Sequence, residues 1–258
     1  MTVAPDPNQP PKIVVRGLTK RFRRGNEEFT ALDPVDLDVA QGELVCLLGP
    51  SGCGKSTLLN LLAGFDEASG GTVHIDGEAV RTPDPRRVFV FQEYGIFPWA
   101  TVRENIALGL RRRSESERHE IVERYIDLVG LRGFENSYPG EISGGMKQRV
   151  AVARALAVSP EVVFMDEPFG ALDSLTRLSM RQELRRIWQL ERLTIVLVTH
   201  DVDEALQLAD RVVVMTSRPG RIAATIPVGL EHPREPLSPA YGTLRKQLFG
   251  LLGVVDGV

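Results

Sequence analysis

Residues 49–57 read Gly49-Pro50-Ser51-Gly52-Cys53-Gly54-Lys55-Ser56-Thr57 and fit the pattern G-x-x-x-x-G-K-[ST] in full. Glycines at these places let the backbone wrap closely enough for its amides to face phosphate oxygens. The N-terminus of the helix that follows adds positive potential. Lys55 has the length to reach β and γ phosphates, and the Ser56 hydroxyl is a hard oxygen donor suited to Mg2+. A second group, Glu161-Val162-Val163-Phe164-Met165-Asp166-Glu167-Pro168, is an apolar run that delivers two consecutive acids to its end. Asp166 suits a role in holding Mg2+, directly or through water, and Glu167 a role as the general base that orients an attacking water. Such a run is weak evidence by itself. Beside the glycine loop it predicts binding and hydrolysis of ATP with Mg2+.

These residues need strands and helices to position them. Ile13–Val15 and the alternating set Val35, Leu37 and Val39 read as exposed-edge antiparallel strands. Leu44–Leu48 is a continuous apolar run that ends in Gly-Pro, as expected of a strand buried on both faces just before the loop. Val73-His74-Ile75, Arg87–Phe91, Glu161–Met165, Thr194–Thr199 and Arg211–Met215 are further strands. Helical patterns lie between them at Lys55–Ala63, Val102–Leu110, Ser116–Val129, Gly145–Ala157, Ser174–Leu190 and Val202–Leu208. Strand and helix alternate, which predicts an α/β domain with a largely parallel sheet. The stretch from about residue 93 to 158 breaks that rhythm with three helical patterns and no convincing strand, so it reads as an inserted helical subdomain. Residues 1–11 are proline-rich and read as a flexible N-terminus. Beyond Pro219 the pattern is less regular, with a terminal helix expected near Leu244–Leu252.

Bulk composition narrows the partners. Charged residues make up 25% and apolar residues 43%, an ordinary globular balance. A net charge of -3 gives no global reason to expect nucleic acid. The run Arg111-Arg112-Arg113 is followed at once by Ser-Glu-Ser-Glu and reads as a solvated helix end, where cations favour the helix dipole. No segment approaches the roughly 20 apolar residues of a membrane span, and the start has no secretory pattern, so the chain is expected to stay where it is made. Cys46 and Cys53 lack metal-ligand spacing and suit a reducing cytosol. Cys53 reads as a tolerated variable position of the loop. The alternative is a redox-sensing thiol whose pKa the neighbouring lysine and amides lower.

A third piece is Ile142-Ser143-Gly144-Gly145-Met146-Lys147-Gln148-Arg149-Val150, a helix opened by a serine and two glycines and therefore anion-receptive. It resembles the signature sequence of ABC ATPases, and the order of the flanking motifs is similar as well. Gln92, after the Val88–Phe91 strand, looks like the Q-loop glutamine. Ala171-Leu172-Asp173 looks like the D-loop, and His200 like the switch histidine. Phe22, in Lys20-Arg21-Phe22, stands where the family often has an adenine-stacking tyrosine, with core packing as the competing reading. The resemblance spans residues 12 to 216. It implies an ABC-type P-loop NTPase fold: a RecA-like core, an antiparallel β subdomain and the inserted helical subdomain, over residues 12–230, with a C-terminal extension at 231–258. It assigns catalytic roles to Glu167, His200, Lys55 and Gln92. It places Gly49 through Thr57, Phe22, Gln92, Ser143, Gly144 and Gly145 around ATP, and Ser56, Gln92 and Asp166 around Mg2+. Two departures stand out. Ile142 replaces the usual leucine and keeps an apolar anchor, whereas Met146 replaces the usual glutamine and removes a polar contact to the partner's nucleotide.

Members of this family work as head-to-tail pairs, so the resemblance implies a homodimer in which Ser143–Gly145 complete the other copy's site. Phe91-Gln92-Glu93-Tyr94-Gly95-Ile96-Phe97-Pro98-Trp99-Ala100-Thr101-Val102 looks like a segment of the nitrate, sulfonate and taurine importers, where it lines the groove that receives a permease helix. Phe97 and Trp99 are apolar anchors suited to docking, with packing inside the subdomain as the alternative. Met146, Tyr138-Pro139-Gly140-Glu141 and Ser217-Arg218-Pro219-Gly220-Arg221-Ile222 are similar to that group too. The implied machine is an importer for a small anion or organic acid. Its permease subunits and extracytoplasmic solute-binding protein are separate chains, and the cassette sits at the cytoplasmic face of the membrane. Competing readings are the cassette of an exporter or lipid-trafficking complex and a soluble ATPase acting on nucleic acid or ribosomes. The latter lacks the coiled coil, zinc hook or twin cassette it would need.

Overall fold

The computed structural model describes residues 10–25, 27–92, 95–170, 172–217 and 219–253. Most of the expected flexible N-terminus, residues 1–9, lies outside the described residues. In chain order the elements are β1 (Ile13–Arg24), β2 (Glu27–Val39), β3 (Leu44–Leu48), α1 (Lys55–Ala63), β4 (Gly70–Ile75), β5 (Glu78–Ala79) and β6 (Arg87–Val90). There follow α2 (Val102–Ala107), α3 (Glu115–Leu128), α4 (Gly144–Ala157), β7 (Val162–Asp166) and α5 (Ser174–Glu191). The chain closes with β8 (Thr194–Thr199), α6 (Val202–Leu208), β9 (Arg211–Thr216), β10 (Arg221–Pro227) and α7 (Pro239–Leu251). Contacts divide these into two compact units, Met1–Asp84 with Leu193–Val258 and Pro85–Arg192.

In the first unit β3 lies between β8 and β9, parallel to both, and β10 adds to β9 antiparallel. Every residue of β3 and β8 is buried, as their unbroken apolar runs demand. Glu43, just ahead of β3, is 5% exposed and takes Arg211 at the start of β9 in an ion pair of 2.7 Å. That pair ties the two strands at their entry. Beside them, β1 is held between β2 and β4 in an antiparallel sheet of order β2-β1-β4-β5. Ile13–Val15 is therefore interior and not an edge: Val73 and Ile75 of β4 pair opposite Val15 and Ile13, a long-range pairing that no local pattern reveals. The sequence pattern gives no sign of β10. Its residues alternate only between exposed and half-buried, and it ends at Pro227, which an outer strand tolerates. The terminal helix α7 begins at Pro239, earlier than the expected Leu244, because Ser238 caps it and Pro239 fits its first turn.

In the second unit β6 and β7 pair in parallel. The expected helix Val102–Leu110 stops at Ala107 and tightens into a 3-10 turn over Leu108–Leu110. Thr101 and Ser114 start α2 and α3 with capping boxes completed by Glu104 and Glu117. Val122, Tyr125 and Ile126 of α3, Val150–Ala153 of α4 and Met180, Leu184 and Ile187 of α5 are buried and supply this unit's core. No strand occurs among the described residues between β6 and β7. Nor is any helix among the described residues long and apolar enough to cross a membrane.

Candidate active site

The glycine loop joins β3 to α1 in the first unit. Gly54 is the N-cap of α1 at φ 92°, a left-handed conformation that a side chain would strain. A Cβ there would also press on Leu32 Cδ2 at 2.6 Å. No side chain caps this helix start, and its first turn holds no acid, so its amides are directed at whatever the loop encloses. Lys55 is 5% exposed and curls back into the loop, donating to the carbonyls of Gly49 at 2.8 Å and Pro50 at 3.0 Å. An ammonium already inside a ring of main-chain groups fits a phosphate-cradling role. Ser56 and Thr57 follow on α1. Gly220 buttresses the loop from outside: a Cβ there would collide with the Cys53 carbonyl. Of the segment Ser217–Ile222, Arg218 lies outside the described residues.

Cys53 is buried, and burial pushes its thiol up, outweighing the pull of Lys55. The neighbouring charge therefore does not create a reactive thiolate, and Cys53 is a packing residue of the loop. Phe22 is half-buried and stacks on Phe29, with centroids 5.5 Å apart, and Lys20 Nζ lies 4.8 Å from its ring. It belongs to the β1–β2 hairpin and not to the apolar core. His200 is exposed just beyond β8. The corner there is fixed by Asp201, whose amide donates to Thr199 Oγ1 at 3.0 Å and whose carboxylate accepts from Glu204 N at 2.9 Å, starting α6.

The second unit holds the remaining candidates. Asp166 ends β7, and Glu167 follows with φ 44°, left-handed backbone for a residue with a Cβ. Gly170 lies within van der Waals reach of both Gln92 and Glu167: a Cβ on it would sit 3.6 Å from Gln92 Nε2 and 3.7 Å from Glu167 Oε2. Gln92 and Glu167 therefore both border the space beside Gly170. Ser143 caps α4, accepting from Met146 N at 3.3 Å. Ser143 and Gly144 are exposed, while Ile142 is buried beneath them as the anchor. Gly145 has no room for a side chain, because a Cβ would collide with Thr176 Cγ2 of α5. Asp173 caps α5 through the amides of Leu175 and Thr176, and those hydrogen bonds hold its carboxyl below the usual range. Ala171 lies outside the described residues.

Among the described residues no three His, Cys, Asp or Glu side chains gather into a protein-only metal cage. The expected donors are instead a hydroxyl, an amide and one carboxylate. That oxygen set fits Mg2+, which keeps waters and substrate phosphates in its shell.

One constellation was missed by sequence. Asn105 of α2 is fully buried and tied to the loop ahead of it: its Oδ1 accepts from Phe97 N at 2.8 Å, and its two Nδ2 hydrogens are shared among the carbonyls of Phe97, Ala100 and Thr101 at 3.1, 2.9 and 3.0 Å. Arg154 of α4 holds the same loop, donating to Gly95 O at 2.8 Å with its guanidinium 5.6 Å from the Phe97 ring. The result is a rigid presentation of Trp99, which is 74% exposed beside a cleft lined by Arg103, Arg111 and His119. A buried asparagine four residues after a helix cap was the available signal. Glu93 and Tyr94 of this segment lie outside the described residues.

A glycine loop between a buried strand and a helix, with a strand-end Asp-Glu pair, defines a P-loop nucleoside triphosphatase of the α/β class. The ABC transporter family profile matches residues 32–170. The chain is 47% identical to an uncharacterized ABC transporter ATP-binding protein of Methanocaldococcus jannaschii, over 93% of this chain and 91% of that one. It is 44% identical to the nitrate import ATP-binding protein NrtD of Synechococcus elongatus, over 90% and 88%. A solved dimeric ATP-binding cassette in a post-hydrolysis state bound to ADP and Pi superposes with a TM-score of 0.73 at 32% identity, covering 85% of this chain and all of that one. The chain belongs to the ABC transporter family and is its ATP-binding, ATP-hydrolysing subunit.

Proposed function

We propose that this subunit energises an importer for a small anion of the nitrate, sulfonate or taurine kind. The observation that carries the reading is the Phe97–Trp99 loop. An indole 74% exposed, on a loop fixed by hydrogen bonds to the Asn105 amide, is built to bury itself in a partner. The partner is a separate permease subunit, and the likeness to a nitrate import protein supports the class of solute. The cassette acts as a homodimer at the cytoplasmic face of the membrane, in a system with an extracytoplasmic solute-binding protein.

The chemistry follows from the residues. The amides of Gly49–Thr57 and the Lys55 ammonium hold the β and γ phosphates. Ser56, Gln92 and Asp166 hold Mg2+, which supplies charge neutralisation at the phosphates. Phe22 stacks on adenine. Glu167 accepts a proton from water as its oxygen bonds to the γ phosphorus, and the bond from that phosphorus to the bridging oxygen breaks, giving ADP and phosphate. His200 donates a hydrogen bond to the same phosphoryl group. Ser143, Gly144 and Gly145 of a second copy close over the γ phosphate from their exposed helix start.

Reconstitution with the permease and binding protein encoded nearby tests the reading. ATP hydrolysis in vesicles should rise several-fold with loaded binding protein and one of nitrate, taurine or an alkanesulfonate. Failure to join a permease, or stimulation only by outward lipid movement, would overturn it.

A further inference from the structure

Helix α6 is seven residues long, too short to hold its shape unaided, and its last carbonyls need partners. The extension after β10 supplies them. Arg234 is 5% exposed and donates through one terminal nitrogen to the carbonyls of Leu206 at 2.6 Å and Ala209 at 2.7 Å. Its Nε donates to Leu230 O at 3.1 Å, and its own carbonyl accepts from Gln207 Nε2 at 3.1 Å. A guanidinium against helix C-terminal carbonyls also meets the negative end of the helix dipole. Burial pulls the Arg234 pKa down to about 10, against the opposing pull of the Asp210 carboxylate.

The other end of α6 is held by α7. Tyr241 is fully buried, and its hydroxyl lies 3.1 Å from an Asp203 carboxylate oxygen that also accepts from Arg245 at 3.0 Å. Asp203 stands in the first turn of α6, three residues after His200. So the extension grips α6 at both ends, while β8 leads into it through the His200–Asp201 corner.

From this we infer that the C-terminal extension is a positioning device for His200, with Arg234 and Tyr241 as positioning residues that act through α6. It rests on the role given to His200 above. A buried guanidinium whose hydrogen bonds go to main-chain carbonyls is an expensive way to end a seven-residue helix unless the helix must stay in register.

The test uses the assembled transporter with Arg234→Met, Arg234→Lys, Tyr241→Phe, His200→Ala and the double variant His200→Ala/Arg234→Met. Arg234→Met should lower kcat about tenfold with KM for ATP changed by no more than about twofold, and Arg234→Lys should recover part of the loss. The double variant should be no slower than His200→Ala, since both remove one function. Amide hydrogen exchange over residues 200–208 should quicken in Arg234→Met whatever happens to turnover. Unchanged exchange, unchanged kcat or a fully additive double variant each overturns the inference. If His200→Ala keeps full turnover, the histidine's role has failed, and exchange alone decides whether the grip on α6 exists. Should Arg234→Met not fold, Tyr241→Phe in the same cycle carries the decision.

Discussion

Gln92 and Glu167 both border the space beside Gly170: a methyl group there would touch the amide nitrogen of the first at 3.6 Å and the carboxylate of the second at 3.7 Å. These are ordinary van der Waals distances, so Gly170→Ala should leave ATP hydrolysis near that of the parent chain. A branched side chain would push the two groups apart. Gly170→Val should cut kcat at least about tenfold with little change in ATP affinity, as steady-state kinetics on the assembled transporter will check.

Glu167→Gln keeps the shape and removes the proposed base. It should bind ATP normally, hydrolyse it on the order of a hundredfold more slowly or worse, and accumulate as an ATP-bound dimer on size exclusion. Full turnover would take the base role from Glu167.

Asn105→Ala takes the side-chain partner from the Phe97 amide and the Ala100 carbonyl, while the Phe97 and Thr101 carbonyls keep the backbone amides of Ala100 and Asn105, and it unfastens the Trp99 loop. Stability should fall by about 2–3 kcal/mol in urea melts. Capture of the permease should weaken more than ATP binding does, as a pull-down and a nucleotide titration on one preparation would compare.

Glu43 and Arg211 form a pair whose carboxylate is almost wholly enclosed. Removing one charge strands the other, so Arg211→Met should cost about 3 kcal/mol, and Glu43→Gln less because the amide still meets Ala40 N. Paired denaturant curves will separate the two.

Acid should weaken the second unit. Arg103 and Arg132 pull the Glu123 carboxyl below its usual range, and Arg132 does the same to Asp127. A depressed native pKa means that the charged form stabilises the fold above the ordinary carboxylate range, and that this stabilisation is lost as pH falls through the lowered value. Thermal melts from neutral to acid pH should show the decline, and Arg132→Met should flatten it.

Much of this was legible in the chain because local chemistry wrote it there. The loop's glycines, the Asp-Glu pair and the unbroken runs of β3, β7 and β8 each carry their own signal. What stayed hidden was non-local. β1 is interior because β4 pairs with it from more than fifty residues away, β10 has no apolar stripe to announce it, and the hold of Asn105 on Phe97 becomes visible only once the loop has folded back. For Cys53 the sequence leaves two readings, a tolerated loop position and a thiol whose pKa Lys55 lowers, and burial outweighs the lysine.

Glu167 sits at φ 44°, a region where a residue with a Cβ costs about 1–2 kcal/mol relative to glycine. Comfort at that position would favour Gly or Asn, neither of which can take a proton from water. On the base role proposed for Glu167, the chain keeps a local discomfort at the residue that works, and the sturdiest version of this cassette would be an idle one.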